Sequence, residues 1–487
     1  MNNTEAVVLP AGYTGSSLFH SVLTQTAARY PNVFASVAPP TSAAAFKRDY
    51  GTILARFEAA RVRAPERVAI AREIVRVAQE ALQFGVEGTT VPLREYLRER
   101  APAPVLERSA GFGSGLPIEL PFEGRTYRGK QGIEVLDRLR QAYQLSEGAY
   151  AALKWIMEQE HVDLRGERFV LLGAGAELAP TEFLLRAGAE VLWIDVSDPG
   201  RARALGSLTH APGVGNLLEQ PREIAAAIRA FADGAPVHIG MYAYAPGASK
   251  EWRLGAAMNA IVASLEPALL RSVSLLISPT TPAVLSEDTL QAAELRKANS
   301  PLWQRLLTRS GLTVEPGWLR FEDTCISLST VALQGLSYQA AQYISKIAAA
   351  EMYAVYGTAL PAEAPRPLKV SANVAGITRT RSLSHPLFNA AFLGASQFGV
   401  RIFDPATTRA LSGLLMLHDL LNPSAPTARA ESALDKARAV SSQPIHGGIY
   451  GLPWELEGVI RVAAVVGLAN RPTILLEKPA PSIAVAE

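Results

Sequence analysis

Two glycines and one aspartate in this sequence have the types and the spacing that could bind a nucleotide. Gly173 and Gly175 come directly after a short apolar run, and Asp195 follows a second apolar run about 20 residues further on. A glycine turn that leads into a helix offers backbone N–H groups and the positive end of the helix dipole to a phosphate. A carboxylate after the second strand could accept from a ribose hydroxyl. We therefore expect Gly173, Gly175 and Glu177 to lie under a pyrophosphate and Asp195 to lie beside the ribose.

The segments around these residues predict a strand, a glycine turn, a helix and a second strand. Residues 169–172 are apolar, as in a buried parallel strand, and we expect a helix over 180–186 that Gly188 ends. The third glycine of the dinucleotide motif GxGxxG would fall at Leu178, although Ala179, one position later, is small enough for close packing. Two alternatives stay open: a Rossmann-like unit that no longer binds a dinucleotide, and a methyltransferase-type unit, which needs a glycine at Glu177.

The composition indicates a globular protein and argues against several classes of function. The 487 residues are 48% hydrophobic and 19% charged, and the chain is long enough for two or three domains. The net charge of +2 predicts no nucleic-acid partner and no membrane-binding surface. The N-terminus lacks the features of a signal peptide, and no apolar run reaches about 18 residues, so we expect a cytoplasmic protein without a membrane span.

Cysteine and histidine usage bears on the redox compartment and on metals. Cys325 is the only cysteine, so no intramolecular disulfide can form, which fits a reducing compartment. The seven histidines are scattered without the spacing of metal ligands. The sequence therefore predicts no metal site.

The pattern along the chain predicts an α/β protein with a Rossmann-like, doubly wound parallel sheet. Residues 1–165 are expected to form a mainly helical N-terminal region that packs on the following domain. Residues 166–440 alternate apolar runs with helical patterns, with an insertion at about 283–328, and residues 441–487 form a C-terminal extension. We expect about six or seven parallel strands over 166–420, with Gly173 at the carboxyl end of the first.

At this level the chain resembles the short-chain dehydrogenase/reductase family over about 166–420. Of the family's TGxxxGxG turn only Gly173 is kept as glycine, and the loop after the fourth strand reads GMYAYAPG from Gly240, where the family has an NNAG-like sequence. After the sixth strand, Gly376 and Thr380 reproduce the glycine-to-threonine spacing of the family's PGxxxT segment. The resemblance implies that Gly240, Gly376 and Thr380 contact a cofactor.

The family's catalytic set is Asn, Ser, Tyr and Lys, with the last two as YxxxK on one helix. A tyrosine, whose free pKa is about 10, can exchange protons near neutral pH only when nearby positive charge favours the phenolate. Lys346 fits the lysine, but Gln342 stands four residues before it; Tyr343 is three residues before it, and Tyr338 is eight. The serine is matched by Ser278, with Thr280 and Thr281 as substitutes, and the asparagine by Asn259.

These matches imply an NAD(P)-dependent oxidoreductase that acts on a carbonyl or alcohol of a small organic substrate. Tyr343 would exchange the proton, Lys346 would hold the ribose and Ser278 would orient the substrate. Asp195 favours NAD over NADP because an acid repels a 2′-phosphate, although Arg201 and Arg203 are near in sequence.

The same residues also suit purely structural roles. Tyr343 would suit a place in the core, Ser278 and Thr280 would suit capping, and Lys346 would suit a solvated surface. The alternative functions are a degenerate Rossmann protein with a non-redox binding or scaffold role and, with less support, an S-adenosylmethionine-dependent methyltransferase. The insertion at 283–328 would serve as a lid or as part of the substrate site, and assembly into a homo-oligomer is open.

Overall fold

The computed structural model describes residues 5–111, 113, 115–245, 247, 249–356, 368–380, 383 and 386–476. Its N-terminal part is mainly helical, with short strands between the helices. The elements are β1 (Val7–Val8), α1 (Gly15–Arg29), α2 (Pro31–Phe34), α3 (Ala43–Arg63), α4 (Arg67–Ala81), β2 (Gln83–Val86), β3 (Thr89–Pro92), α5 (Leu93–Tyr96), β4 (Glu107–Ser109), β5 (Leu116–Pro117), β6 (Glu119–Phe122), β7 (Arg125–Arg128), α6 (Gly129–Gln141), α7 (Glu147–Met157) and β8 (His161–Val162).

Strands and helices alternate through the middle of the chain. They are β9 (Arg168–Leu172), α8 (Thr181–Arg186), β10 (Glu190–Ile194), β11 (Leu208–His210), α9 (Pro221–Ala232), β12 (Val237–Met241), α10 (Lys250–Ser264), β13 (Leu270–Ile277), α11 (Glu287–Ala298), α12 (Leu302–Arg309), β14 (Trp318–Phe321), β15 (Thr324–Ser327), α13 (Gly335–Gln342), a π-helical segment (Tyr343–Ala348), α14 (Ala349–Ala354) and β16 (Lys369–Val374). The last helices are α15 (Pro386–Gly394), α16 (Pro405–Leu421), α17 (Pro426–Arg429), α18 (Ala433–Ala439) and α19 (Leu456–Asn470).

Seven strands form the central sheet in the order β16-β13-β12-β9-β10-β11-β4. All neighbouring pairs are parallel except β11 with β4, which is antiparallel. The predicted α/β class and the parallel sheet over 166–420 are therefore confirmed. The edge strand β4 was not predicted, and it means that the N-terminal part contributes directly to this sheet.

The strand order reverses at one point, between β9 and β12. From β9 the chain adds β10 and β11 to one side, and it then adds β12, β13 and β16 to the other. Leu172, the last residue of β9, pairs with Ile194 and with Met241, so β9, β10 and β12 end at the same level. Such a reversal leaves a crevice outside the carboxyl ends of the strands, where α/β proteins bind their ligands.

Side chains of the central strands alternate between two covered faces of the sheet. Val170 and Leu172 of β9 belong to a hydrophobic cluster that includes helices α1, α3 and α4 of the N-terminal part. Phe169 and Leu171 point to the opposite face, where α7 and α16 supply the neighbouring apolar side chains. Both faces are thus buried, which explains why the strands read as nearly continuous apolar runs.

The segment at 283–328 holds α11, α12 and the β14–β15 hairpin, and the C-terminal segment holds α19, which packs against α15. No helix within the described residues is both long enough and apolar enough to cross a lipid bilayer.

Candidate functional site

A cavity of about 480 Å³ lies at the carboxyl edge of β12, β13 and β16. Its walls come from the loop after β12, from the residues that follow β13 and β16, from the helix 335–354, and from α15 and α19. A volume of this size suits a small organic molecule. The cavity adjoins the reversal of strand order between β9 and β12, where a ligand site is expected.

One end of the cavity is a cluster of hydroxyl and amide groups around Ser278, the residue that follows β13. The Ser278 backbone N–H donates to the Gln342 side-chain oxygen at 3.0 Å, and the Ser278 and Thr280 hydroxyl oxygens are 2.8 Å apart. The Thr280 hydroxyl in turn donates to the side-chain oxygen of Gln334 at 2.7 Å. Ser278 therefore lies in the cleft, as the sequence predicted, with a hydrogen-bonded network behind it.

Tyr338 projects into this same cluster. Burial raises the pKa of its hydroxyl to about 12, and the carboxylate of Glu251 adds to that rise, whereas hydrogen bonding by the Ser278 and Thr280 hydroxyls lowers it. The Tyr338 phenol is thus held protonated beside two other hydroxyl groups, where it can donate a hydrogen bond to an oxygen of a ligand.

Glu251 and Lys346 form a loose ion pair in the wall of the cavity. The Lys346 Nζ is 3.9 Å from Glu251 Oε1, and the other carboxylate oxygen accepts from the Ala245 backbone N–H at 2.9 Å. Burial raises the pKa of Glu251 and lowers the pKa of Lys346, and each charge only partly offsets the effect on its partner. When the pKa of a carboxyl group is raised and that of a nearby amine is lowered, the two groups exchange a proton more readily than an ordinary surface pair does.

Three of these residues share one face of the helix 335–354. Tyr338, Gln342 and Lys346 are spaced by four, so each lies one turn after the last. The wider π-helical turn begins at Tyr343, just after Gln342, and such turns are frequent at functional sites. The face toward the cleft is therefore polar over about two turns.

The placement of Tyr343 in the cleft, predicted from its spacing to Lys346, is wrong. Tyr343 is fully buried, its hydroxyl donates to Glu58 Oε2 at 2.6 Å, and its ring lies 6.4 Å from the rings of Phe19 and Phe57. One helical residue turns a side chain by about 100°, so the residue after Gln342 points to the N-terminal helices instead. Burial and Glu58 raise the pKa of Tyr343 well above its ordinary value.

Asn259 is also away from the cavity. Its side-chain amide donates to the backbone oxygens of Gly255 and Ser345, both at 3.0 Å, and its oxygen accepts from the Tyr353 hydroxyl at 2.8 Å. Ser345 lies in the π-helical segment, so Asn259 joins α10 to that segment. The predicted catalytic role of Asn259 is replaced by a structural one, because these contacts lie between two packed helices.

The glycine turn lies at the carboxyl end of β9, as predicted, but its N–H groups are largely used within the protein. Gly173 and Ala174 donate to the Ile194 oxygen, and the Gly175 N–H donates to Asp195 Oδ2 at 2.9 Å. Gly173 has a φ of +88°, and a Cβ there would collide with the backbone of Ala243. Packing alone therefore explains the glycine at 173.

Asp195 closes a local loop beside this turn. Besides the Gly175 N–H, its carboxylate accepts from the backbone N–H of Ser197 at 2.9 Å and from the Ser197 hydroxyl at 2.6 Å. An ionised carboxylate has about four acceptor positions, so capacity for about one further donor remains. Arg201 and Arg203 are paired with Glu182 and Asp198 instead of with Asp195.

The remaining predicted cofactor residues divide between the cavity and the core. Gly376 and Thr380 line the cavity, in the loop after β16. Gly240 is inside β12, where a Cβ would collide with the side chains of Leu171 and Tyr242, so it does not reach a ligand and that prediction is wrong. Glu177 lies in the turn and accepts from the Tyr244 hydroxyl at 3.3 Å, which links the turn to the loop after β12.

Two residues of this site, Tyr338 and Glu251, carry weaker signals in the sequence. Tyr338 comes one turn before Gln342, a spacing visible in the sequence, but Tyr343 was nearer to Lys346. Glu251 stands in the first turn of α10, directly after the β12 loop, and an acid at that place was a readable signal. Neither signal was decisive without knowing which face of the helix 335–354 meets the sheet edge.

No family model matches this chain, and no curated protein matches its sequence. The assignment of a function therefore depends on the geometry of the site. Within the described residues, no group of three or more His, Cys, Asp or Glu side chains is arranged to hold a metal ion.

Proposed function

We propose that this protein is an NAD(P)-dependent oxidoreductase with a Rossmann-like fold, acting on a carbonyl or hydroxyl group of a small organic substrate. The observation that carries the proposal is the hydroxyl of Tyr338 beside Ser278 and Thr280, at the polar end of a cavity at the carboxyl edge of the sheet. The parallel strands run in the order that dinucleotide-binding folds use, with the cavity next to the point of reversal.

In this proposal Tyr338 takes the role that the spacing gave to Tyr343. The Tyr338 hydroxyl, which burial and Glu251 keep protonated, donates its proton to the substrate oxygen when a carbonyl is reduced. Ser278 and Thr280 orient that oxygen, and the Lys346 ammonium in the wall of the same cavity returns a proton to the Tyr338 oxygen and then regains one from water. A nicotinamide, when bound, supplies the hydride.

The residues at the glycine turn fit the ribose of a nucleotide better than its phosphates. Asp195 keeps acceptor capacity for a ribose hydroxyl, and Gly175 beside it is exposed. The N–H groups of Gly173, Ala174 and Gly175 already have acceptors within the protein. That second observation, together with the burial of Tyr343 and the position of Gln342 at the cleft, favours another candidate function, a non-redox protein that binds a small molecule in the same cavity.

Titration calorimetry with NADH, NADPH and S-adenosylmethionine separates these candidates. We expect NADH to bind, and we expect Asp195→Ala to weaken it by about 1–3 kcal/mol, the cost of lost hydrogen bonds to a charged group. Asp198→Ala is the matched control, because Asp198 is a neighbouring acid that pairs with Arg203. Binding of S-adenosylmethionine alone would favour a methyltransferase, and binding of none of the three would favour the non-redox protein.

A further inference from the structure

Two parts of the cavity wall differ in chemistry. The part around Ser278 carries hydroxyl, amide and charged groups, whereas another part is built by α15 and α19. All of the described lining residues from these two helices are apolar, among them Phe388, Ala391, Phe392, Val459, Ile460 and Ala463.

Glycines allow the backbones of α15 and α19 to approach closely, so the two helices form one close-packed wall. A Cβ at Gly394 would collide with the Ala463 carbonyl oxygen, and a Cβ at Gly467 would collide with the Ala390 carbonyl oxygen. Such close backbone contact fixes where the side chains between the helices point. The apolar wall is therefore a property of the fold that a ligand has to match.

Small side chains leave the space at this wall. Ala391 and Ala463 line the cavity with a single methyl group each, while the Phe388 and Phe392 rings, 6.2 Å apart, form a firm boundary beside them. A polar ligand group placed here would lose its water without gaining a partner from the side chains of these helices. A hydrocarbon would instead gain the dispersion contacts that an unfilled wall lacks.

A polar side chain near this region, that of Thr378, turns inward. Its hydroxyl, which follows β16, donates to the Gly376 carbonyl oxygen at 2.9 Å and lies 2.6 Å from the Thr408 hydroxyl oxygen. The hydrogen-bonding capacity of Thr378 is thus used within the protein. Thr378 therefore adds little polarity to the wall that α15 and α19 form.

We propose that the substrate is an aliphatic carbonyl or hydroxy compound whose oxygen meets Ser278 and Tyr338 and whose hydrocarbon chain lies under α15 and α19. This inference rests on the proposed function for the chemistry at the oxygen, but its chain-binding part is independent of any nucleotide. Chain length is then the main determinant of specificity, and Ala391 and Ala463 set its limit.

A homologous series of straight-chain methyl ketones, from butanone to dodecanone, tests this by calorimetry on the full chain. Each added methylene should tighten binding about fourfold, the effect of burying one CH₂ group, until the cavity is full. Beyond that length the affinity should level off. A series in which affinity does not change with length overturns the proposal.

Substitutions at the wall sharpen the test. Ala463→Leu should move the levelling-off to a shorter ketone, so that the longest ketones lose the most affinity, and Ala391→Leu should do the same if the first variant fails to fold. Ala469→Leu is the matched control, since Ala469 is an exposed residue of the same helix. The proposal is overturned if the control shifts the series as much as Ala463→Leu does.

Parallel titration with NADH keeps the two proposals apart. Ketone affinity that depends on chain length, without nucleotide binding, supports the hydrocarbon site and contradicts the proposed oxidoreductase function. Nucleotide binding with a flat ketone series supports the oxidoreductase and removes the hydrocarbon site.

Discussion

The two faces of the helix 335–354 carry buried charges of very different kinds. One face meets the cleft, through Tyr338, Gln342 and Lys346. The other meets the N-terminal helices, through Tyr343 and Glu351. Both faces are largely out of water, so the difference between them lies in how the charges are satisfied.

Charges on the N-terminal face are fully paired. The Arg61 guanidinium, with no exposed surface, donates to both Glu58 and Glu351 at 2.7 Å, and Arg67 donates to Glu351 at 2.9 Å. Burial raises the pKa of Glu351, but the two arginines outweigh that effect and lower it to about 2. Two arginines and two glutamates balance one another, with Tyr343 as a further donor to Glu58.

Charges on the cleft face are only loosely paired. The Lys346 Nζ is 3.9 Å from Glu251 Oε1. Burial raises the pKa of Glu251 and lowers that of Lys346, and both shifts favour the neutral form of the group. A cavity adjoins each of the two sites, so the difference lies in the pairing of the charges. The tight network holds two parts of the fold together, whereas the loosely paired charges are left available to a ligand. Burial alone does not distinguish the tight network from the loose ion pair, because the charges are buried in both.

The largest expected effect tests which tyrosine does the chemistry. Tyr338→Phe should cut nucleotide-dependent turnover by about 10²–10⁴-fold, the usual worth of general acid–base catalysis. The measurement is the steady-state rate with the ketones and NADH or NADPH.

Tyr343→Phe is the internal control for that experiment, because Tyr343 lies on the same helix but donates to Glu58 away from the cleft. It should leave turnover nearly unchanged in the folded protein. Equal loss of rate in both variants would show that the Tyr338 effect is structural, and loss in Tyr343→Phe alone would reverse the assignment.

The next effect concerns stability. Arg61→Met leaves Glu58 and Glu351 buried with one cation fewer, and removal of one partner from a buried network costs about 3–5 kcal/mol. Urea denaturation should show that loss in the free energy of unfolding.

Lys346→Met on the other face should lower the free energy of unfolding by less than Arg61→Met does, because Glu251 is only loosely paired with Lys346 and its raised pKa lets the carboxyl take up a proton and become neutral when the lysine is removed. If the two substitutions destabilise the protein equally, the two faces do not differ in the way proposed.

Much of the fold could be predicted because buried parallel strands have a local signature. Residues 191–194 form a short apolar run and residues 272–277 a mainly apolar one, and each lies within a strand of the sheet. The edge strand Glu107–Ser109 could not be predicted in that way, since it is polar and pairs with residues about 100 positions later in the chain.

The residues of the candidate site also divide into those that local sequence signals place correctly and those whose position depends on distant segments. Ser278 and Lys346 reach the cleft because carboxyl ends of parallel strands and the helix between them meet at one edge, which the order of elements already implies. Tyr343 does not, because its partner Glu58 is 285 residues away in sequence. Which face of a helix is covered by a distant segment depends on tertiary packing, and one residue of helix is enough to change the outcome.

The smallest expected effect is on the pH dependence of stability, which has opposite signs for Glu351 and Glu251. The pKa of Glu351 is lowered to about 2 in the folded protein, so its ionised form stabilises the fold above its ordinary pKa of about 4.3, and that contribution is lost as the pH falls from about 5 towards 2. The pKa of Glu251 is raised, so its contribution is present below about 4.3 and is lost as the pH rises through its folded pKa.

Glutamine at each position removes the titration while keeping the side-chain shape. We expect Glu351→Gln to be most destabilising near pH 7 and progressively less so as the pH is lowered, because the arginines lose an anion that acid would have neutralised in any case. Glu251→Gln should be close to neutral near pH 4 and should stabilise the protein relative to the parent near pH 7, since it removes a poorly paired buried carboxylate while its amide oxygen still accepts from the Ala245 N–H. Urea denaturation of both variants and the parent between pH 3 and pH 8 measures the two differences. Curves with the same slope would mean that the cleft face holds its carboxylate as firmly as the N-terminal face does, and the distinction between a structural and a functional face would have to be given up.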